Sequence, residues 1–291
     1  MNDIKIYDVR VNPGDSAFLI DDGKTAIMYD SGFAFTGSKV ADKIKDILDT
    51  RGLDYIFLTH SHYDHALGSV YAKKYWNNAK IVAGEYASKI FAKPSAKAVM
   101  RDMDKKFAKK CKVENYEDLI DELCVDIAVS DGDVIKAGDM EFTVLNLPGH
   151  TKCSVGYYNK DRKLLLGCET TGVFNGSDDV VPSCLVGYNM SLESIRKVKS
   201  LKIDNILVPH YGVLDKEKTE FYLKRAEESI VTTADEIVKM LKDKRSKEEI
   251  MEFFKDKFYH GYVKDIYPKD AMELNTGIMI DLLNREFEIE S

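Results

Sequence analysis

The apolar positions of the first thirty residues fall in three short, partly alternating runs, 3–10, 16–21 and 25–30. Asn12-Pro13-Gly14 and Asp21-Asp22-Gly23 separate them. Alternation bounded by turn residues predicts antiparallel strands. Val40, Ile44, Ile47 and Leu48 then share one face of a 3.6-residue period, which predicts a helix over 38–50. The compact run Tyr55-Ile56-Phe57-Leu58 predicts a strand that leads directly into Thr59-His60. A side chain at the end of a strand sits on a rigid mount.

The pattern continues with a helix at 66–76 and a strand at 80–83. Residues 84–123 are Lys-rich and helical in pattern, with a break expected at Pro94. Strands are expected at 133–136, 140–147, 154–158 and 163–167, and a helix at 191–200. A strand over 205–209 ends on His210, and from 215 onward the chain reads as helix, with further helix at 246–258 and 268–284. Mixed helices and β-meanders of this kind predict an α+β fold of two packed sheets with helices outside. Residues 1–214 are expected to form one catalytic domain with a helical insertion at 84–128, and 215–291 a helical extension packed on it. Pro, Gly and Ser nowhere cluster into a long linker.

Composition narrows the function. Hydrophobic residues make up 44% of the 291, enough for a globular core. A net charge of −7 argues against a protein built to hold nucleic acid. The start, Met1-Asn2-Asp3-Ile4-Lys5-Ile6, lacks the pattern of a secretory signal, and no apolar run is long enough to span a membrane. The five cysteines are odd in number and include no Cys-x-x-Cys pair, so a reducing cytoplasm is the expected compartment. The expected partners are a small-molecule substrate and a second copy in a homodimer, with no nucleic acid and no membrane.

Only six histidines occur, and three of them fall in His60-Ser61-His62-Tyr63-Asp64-His65. On an extended segment residues two apart project the same way, so His60 and His62 can converge on one ion. Asp64 and His65 then turn towards a second. Imidazole suits zinc, iron, manganese or cobalt, and a carboxylate adds charge neutralisation. His150 in Leu147-Pro148-Gly149-His150-Thr151 and His210 in Val208-Pro209-His210-Tyr211-Gly212 both follow apolar strands. That shared placement makes each a candidate ligand.

These motifs, in this order, resemble the metallo-β-lactamase-fold superfamily. Asp30-Ser31-Gly32 is similar to that family's early Asp-x-Gly turn. The resemblance implies an αββα sandwich with two divalent metal ions, zinc first and iron or manganese as alternatives. It implies His60, His62 and His150 on one metal, and Asp64, His65 and His210 on the other. The family's bridging Asp has no direct counterpart. Leu166-Gly167-Cys168-Glu169-Thr170 stands there, so either Glu169 or Cys168 takes the role. Glu169 is preferred, because a carboxylate offers two oxygens to two cations.

Two such ions about 3.5–4 Å apart would share a hydroxide that attacks a carbonyl or phosphorus centre. Asp64 would orient it and move its proton, and Tyr211 or Tyr63 could hydrogen-bond the developing oxyanion. The expected function is hydrolysis of a small thioester, a lactone or ester, or a phosphodiester. The alternatives are di-iron redox chemistry and a non-catalytic metal-retaining sensor. His260, in an aromatic-rich stretch, reads as a surface residue or as part of a lid. Lys89, Lys93, Lys97, Arg101, Lys105 and Lys109 recur every four residues and so wind about the helix axis. They read as a solvated face, with Val99, Met103 and Phe107 packing inward.

Overall fold

The computed structural model describes residues 4–289. Asp3, the first residue of the first expected strand, lies outside them. The chain forms two compact units. Unit 1 comprises residues up to Asn146 together with Val155–Leu166, and unit 2 comprises Leu147–Ser154 and the chain from Gly167 onward.

Unit 1 begins with β1 (Lys5–Asp8), β2 (Phe18–Asp21) and β3 (Ala26–Tyr29), an antiparallel meander. Helix α1 (Ala34–Leu48) crosses over to β4 (Tyr55–Phe57), which pairs parallel to β3. After α2 (Tyr63–Ala66) and α3 (Ser69–Tyr75), β5 (Lys80–Gly84) adds parallel to β4. Tyr29 and Phe57 are register partners, so the residues after them, Asp30 and Leu58-Thr59-His60, leave the sheet at one edge. In open sheets with parallel strands, chemistry concentrates at such carboxyl ends.

The expected insertion holds α4 (Glu85–Phe91) and α5 (Pro94–Lys110). It then returns to the sheet as β6 (Ile127–Val129), parallel to β5, a strand that the pattern had left inside the helical segment. Pro94 does not break a helix there. It occupies the first turn of α5, where its missing N–H has no intrahelical acceptor to lose. The inward face of α5 carries Met100, Asp104 and Ala108, whereas Val99 is 60% exposed. The expected packing role of Val99 is therefore corrected. The phase is set by Asp104, a buried carboxylate that apolar periodicity cannot register. Its Oδ1 accepts the backbone N–H of Ala34 at 2.9 Å, and its Oδ2 accepts the Tyr116 hydroxyl at 2.5 Å. It thereby supplies the cap that Phe33, the N-cap residue of α1, lacks. Burial pushes the Asp104 carboxyl up to about 6. On the outer face Arg101 and Lys105 pair with Asp118, as a solvated charged face should.

Four strands complete unit 1: β7 (Val134–Ala137), β8 (Met140–Asn146), β9 (Val155–Asn159) and β10 (Leu164–Leu166), an antiparallel meander. It packs face to face on the first sheet. Phe57 stacks on Tyr157 at 4.6 Å and meets the edge of Phe142 at 5.5 Å. The Tyr157 hydroxyl donates to the Leu58 carbonyl at 2.8 Å, and Val155 N–H donates to the Thr59 carbonyl at 2.9 Å. The backbone that carries His60 is thus clamped from the opposite sheet.

Unit 2 contains the hairpin β11 (Val173–Phe174) and β12 (Val180–Val181), helix α6 (Tyr188–Lys199), and the hairpin β13 (Asn205–Val208) and β14 (Gly212–Leu214). Four helices follow: α7 (Lys216–Lys242), α8 (Lys247–Phe258), α9 (Tyr262–Ile266) and α10 (Lys269–Glu286). Asp215 caps α7, and Ser246 with Glu249 forms a reciprocal capping box on α8. Among the described residues no helix is long and apolar enough to cross a membrane, and the cysteines form no disulfide.

Candidate functional site

In unit 1 the chain beyond β4 bends at His60 and Ser61, His62 is extended (φ −76, ψ 152), and the single turn α2 then begins. This change of backbone separates the motif. The rings of His60 and His62 lie edge to face with centroids 4.5 Å apart, and their ligand nitrogens lie within 4.8 Å. Asp64 and His65 fall on the turn, with Asp64 Oδ2 3.6 Å from His65 Nε2.

Asp30 organises this half. It is fully buried at the end of β3, with a positive φ of 48°, a conformation that Asp tolerates better than most residues. Its carboxylate accepts the Thr59 N–H at 2.8 Å, the Thr59 hydroxyl at 3.0 Å, the Ser16 hydroxyl at 2.9 Å and His65 Nδ1–H at 2.8 Å. The Thr59 hydroxyl has one proton and gives it to Asp30. Its contact with His60 Nδ1 at 3.0 Å must then be donated by the imidazole. Both His60 and His65 are therefore held as the tautomer with the proton on Nδ1, and each presents the lone pair of Nε2. This is the outer arrangement that metal-binding histidines use.

Ser31 and Gly32 complete the turn. Ser31 N–H donates to the His65 carbonyl at 2.7 Å, and the Ser31 hydroxyl does so at 2.8 Å. At Gly68, just beyond α2, a Cβ would stand 1.8 Å from the Ser31 carbonyl oxygen, so only glycine permits this approach. Tyr63 packs against Phe33 at 5.4 Å, in an apolar cluster with Phe35 and Phe107.

In unit 2 the loop carrying His150 is seated by Gly149, whose φ is 144° and whose Cβ would meet Ser191. His150 Nδ1 lies 3.2 Å from the Ser183 carbonyl and 2.7 Å from the Ser183 hydroxyl. A carbonyl only accepts, so Nδ1 carries a proton here too, and Nε2 is the nitrogen turned towards Glu169. That Nε2 stands 2.9 Å from Glu169 Oε2, while His210 Nε2 stands 3.5 Å from Glu169 Oε1. Two ligand atoms on one tetrahedral ion at about 2.0–2.2 Å would lie roughly 3.3 Å apart. A lone pair facing a carboxylate oxygen at such distances is repulsive unless a cation lies between them. The donor set thus fits a metal.

Glu169 opens a short 3-10 turn, Glu169–Thr171, that is braced on both sides. Thr170 Oγ1 donates to the Leu147 carbonyl at 2.6 Å, and Thr171 Oγ1 lies 2.9 Å from the Tyr222 hydroxyl of α7. His210 has a positive φ of 62°, which is costly for a residue other than glycine. Its carbonyl accepts the Tyr262 hydroxyl. Tyr211 packs edge-on against Phe174 at 4.8 Å and Tyr262 at 5.6 Å. His260 is exposed, with Nε2 3.0 Å from the Lys257 carbonyl.

Unit 1 therefore brings together His60, His62, Asp64 and His65, and unit 2 brings together His150, Glu169 and His210. Residues 14–210 match the family model of the metallo-beta-lactamase superfamily. The chain belongs to this superfamily. Its α+β fold class, expected as an αββα sandwich with a helical insertion and a helical C-terminal extension, is that of the metallo-beta-lactamase proteins. A metallo-beta-lactamase family protein of Thermus thermophilus superposes with a TM-score of 0.61 at 16% identity, over 94% of this chain and 88% of that one. Among curated proteins, an acyl-coenzyme A thioesterase of Bos taurus is 32% identical over 95 residues, 32% of this chain and 33% of that one. A hydroxyacylglutathione hydrolase of Rhodopseudomonas palustris is 25% identical over 208 residues, 68% of this chain and 63% of that one. The chain thus spans about a third of the length of the thioesterase and under two thirds of that of the hydrolase.

Several residues that bond this superfamily member's candidate ligands were not legible in its sequence. Thr59, Ser16 and Ser183 are ordinary polar residues until the fold sets them on an imidazole or on Asp30. Tyr267, between α9 and α10, donates its hydroxyl to Glu169 Oε1. It is one of sixteen tyrosines, and nothing in its local sequence marks it.

Proposed function

We propose that this protein is a metal-dependent hydrolase of acyl thioesters or related esters. In this reading His60, His62 and His150 hold one divalent ion and Asp64, His65 and His210 the other, with Glu169 between them. Zinc is the first choice of metal and a reducing cytoplasm the setting. The observation that carries the reading is the attitude of Glu169, whose two oxygens face two different histidine nitrogens. A carboxylate so divided suits two cations. Cys168 offers one sulfur, and its backbone carbonyl is already engaged by Thr171.

When bound, the ions supply Lewis acidity and a water acidic enough to attack near neutral pH. The protein supplies the rest. Asp30 and Thr59 fix the tautomers of His60 and His65, so both lone pairs point outward without a search over ring orientations. Asp64, part-exposed on its turn, orients the attacking water and accepts its proton. The thioester class is favoured because the names of both curated relatives denote acyl thioesters. Lactones and phosphodiesters remain in the test set.

Elemental analysis of protein purified without added metal is the first test, with two zinc per chain expected. Two iron per chain would turn the reading to redox chemistry, and absence of metal would end it. Thioester, lactone and phosphodiester substrates are then compared with His62→Ala as control. Equal turnover by wild type and variant would show that the assigned residues are not the site.

A further inference from the structure

Unit 2 holds an apolar cavity, partly open to solvent, bounded by the β11–β12 hairpin, the segment after it, and helices α8, α9 and α10. Val173, Val181, Leu185, Phe254, Val263 and Met279 give it apolar walls, and no Lys, Arg, Asp or Glu lines it. Its few polar groups are mostly engaged. Thr276 Oγ1 donates to the Met272 carbonyl of its own helix at 2.7 Å. Ser183 holds His150 Nδ1 at 2.7 Å, and Tyr267 holds Glu169. Asn275 is partly exposed. The cavity is therefore apolar along its length, and two of its polar groups sit directly on candidate metal ligands.

We propose that this cavity receives the hydrocarbon chain of the substrate's acyl group, making the substrate an acyl thioester or ester with an extended apolar tail. This rests on the hydrolase reading and names its substrate class. The absence of any charged lining residue excludes a phosphate or carboxylate from the interior, since burying such a charge unpaired is prohibitive. The thiol or alcohol portion of the substrate therefore lies outside. Met272 and Met279 give the lining unbranched, adaptable side chains, which accommodate chains of differing length. Ser183 and Tyr267 line the cavity and also bond His150 and Glu169, and an acyl carbonyl must lie near those two residues to be attacked.

The test has a binding arm and a turnover arm, both on the metal-loaded full chain. Binding of n-alkanols from butanol to dodecanol is measured by calorimetry. Each methylene should tighten binding about fourfold until the cavity is full. Thr276→Met and Val181→Phe, which add volume at the wall, should weaken decanol binding at least about tenfold with metal content unchanged. In the turnover arm, acyl thioesters of N-acetylcysteamine from acetyl to dodecanoyl should show kcat/KM rising with chain length to an optimum. The optimum should shift to shorter chains in both variants. A wild-type alkanol series with no dependence on length overturns the cavity proposal, whether or not the variants fold. Length-dependent alkanol binding with no hydrolysis of any thioester or ester overturns the hydrolase reading and leaves an apolar-ligand site. Length-dependent binding with kcat/KM independent of chain length overturns the assignment of the cavity to the acyl group.

Discussion

Glu169 presents Oε2 to Nε2 of His150 at 2.9 Å, with Nδ1 of the same ring held by Ser183. Because Ser183 holds the proton on Nδ1, the short contact takes either a metal ion or a second proton between Nε2 and Glu169. Glu169→Gln removes the negative charge of the contact and replaces one oxygen with an amide nitrogen that can only donate. We expect it to lower bound metal from two ions per chain to one or none and to cut kcat by at least about a hundredfold. Cys168→Ala, a fully buried neighbour, should keep both ions and lose only about 1 kcal/mol of stability. Metal analysis of the two variants checks this, and the opposite pattern would transfer the bridging role to the thiolate.

Thr59 stands between His60 and Asp30, accepting from one and donating to the other. Thr59→Val keeps the shape but removes both bonds. His60 Nδ1–H is left without that acceptor in a buried site, and the ring loses its fixed tautomer. Metal affinity should fall about 10–100-fold, the usual effect of removing such a support. Competition against a chromophoric chelator measures it, and Thr59→Ser should restore most of the loss.

Tyr267 reaches Glu169 from the helical extension. Tyr267→Phe leaves the ring and removes the hydroxyl, so Glu169 Oε1 loses one donor. Metal affinity should drop several-fold to tenfold, and the visible spectrum of the cobalt-substituted protein should change. An unchanged spectrum and affinity would reduce Tyr267 to a packing residue.

Asp104 gives a pH prediction independent of metal. Burial raises its carboxyl from the ordinary 3.8 to about 6. Below the lower value both folded and unfolded chains hold the proton. Between the two values the folded state holds more protons, so its stability falls as pH rises. Above about 6 both states are ionised and the loss is complete. The loss should approach about 3 kcal/mol at most. Asp104→Asn, which keeps an acceptor for Ala34 and a partner for Tyr116, should flatten this slope in urea midpoints measured from pH 4 to 7.

The candidate metal ligands could be read in the sequence because a ligand set is a local chemical pattern. Three histidines and an aspartate in six positions have few other uses, and strand-end placement drew in His150 and His210. The preference for Glu169 over Cys168 followed from the chemistry of the two side chains alone. The main strands and helices followed from periodicity for the same local reason, since burial of one face imprints itself on successive residues.

What periodicity could not carry was decided by tertiary structure. The start of α1 is set by a carboxylate seventy positions away, Asp104, so no local cap announces it. The phase of α5 follows from that same buried charge, which is why Val99 faces solvent. The tautomers of His60, His65 and His150 depend on Thr59, Asp30 and Ser183, brought to them by strand ends and loops. Tyr267 joins Glu169 across 98 positions of sequence. The sequence by itself determined which residues can bind metal, because that capacity resides in each side chain. Only the fold decided which nitrogen of each ring faces outward and where an acyl chain could lie, because hydrogen-bond partners and cavity walls come from segments distant along the chain.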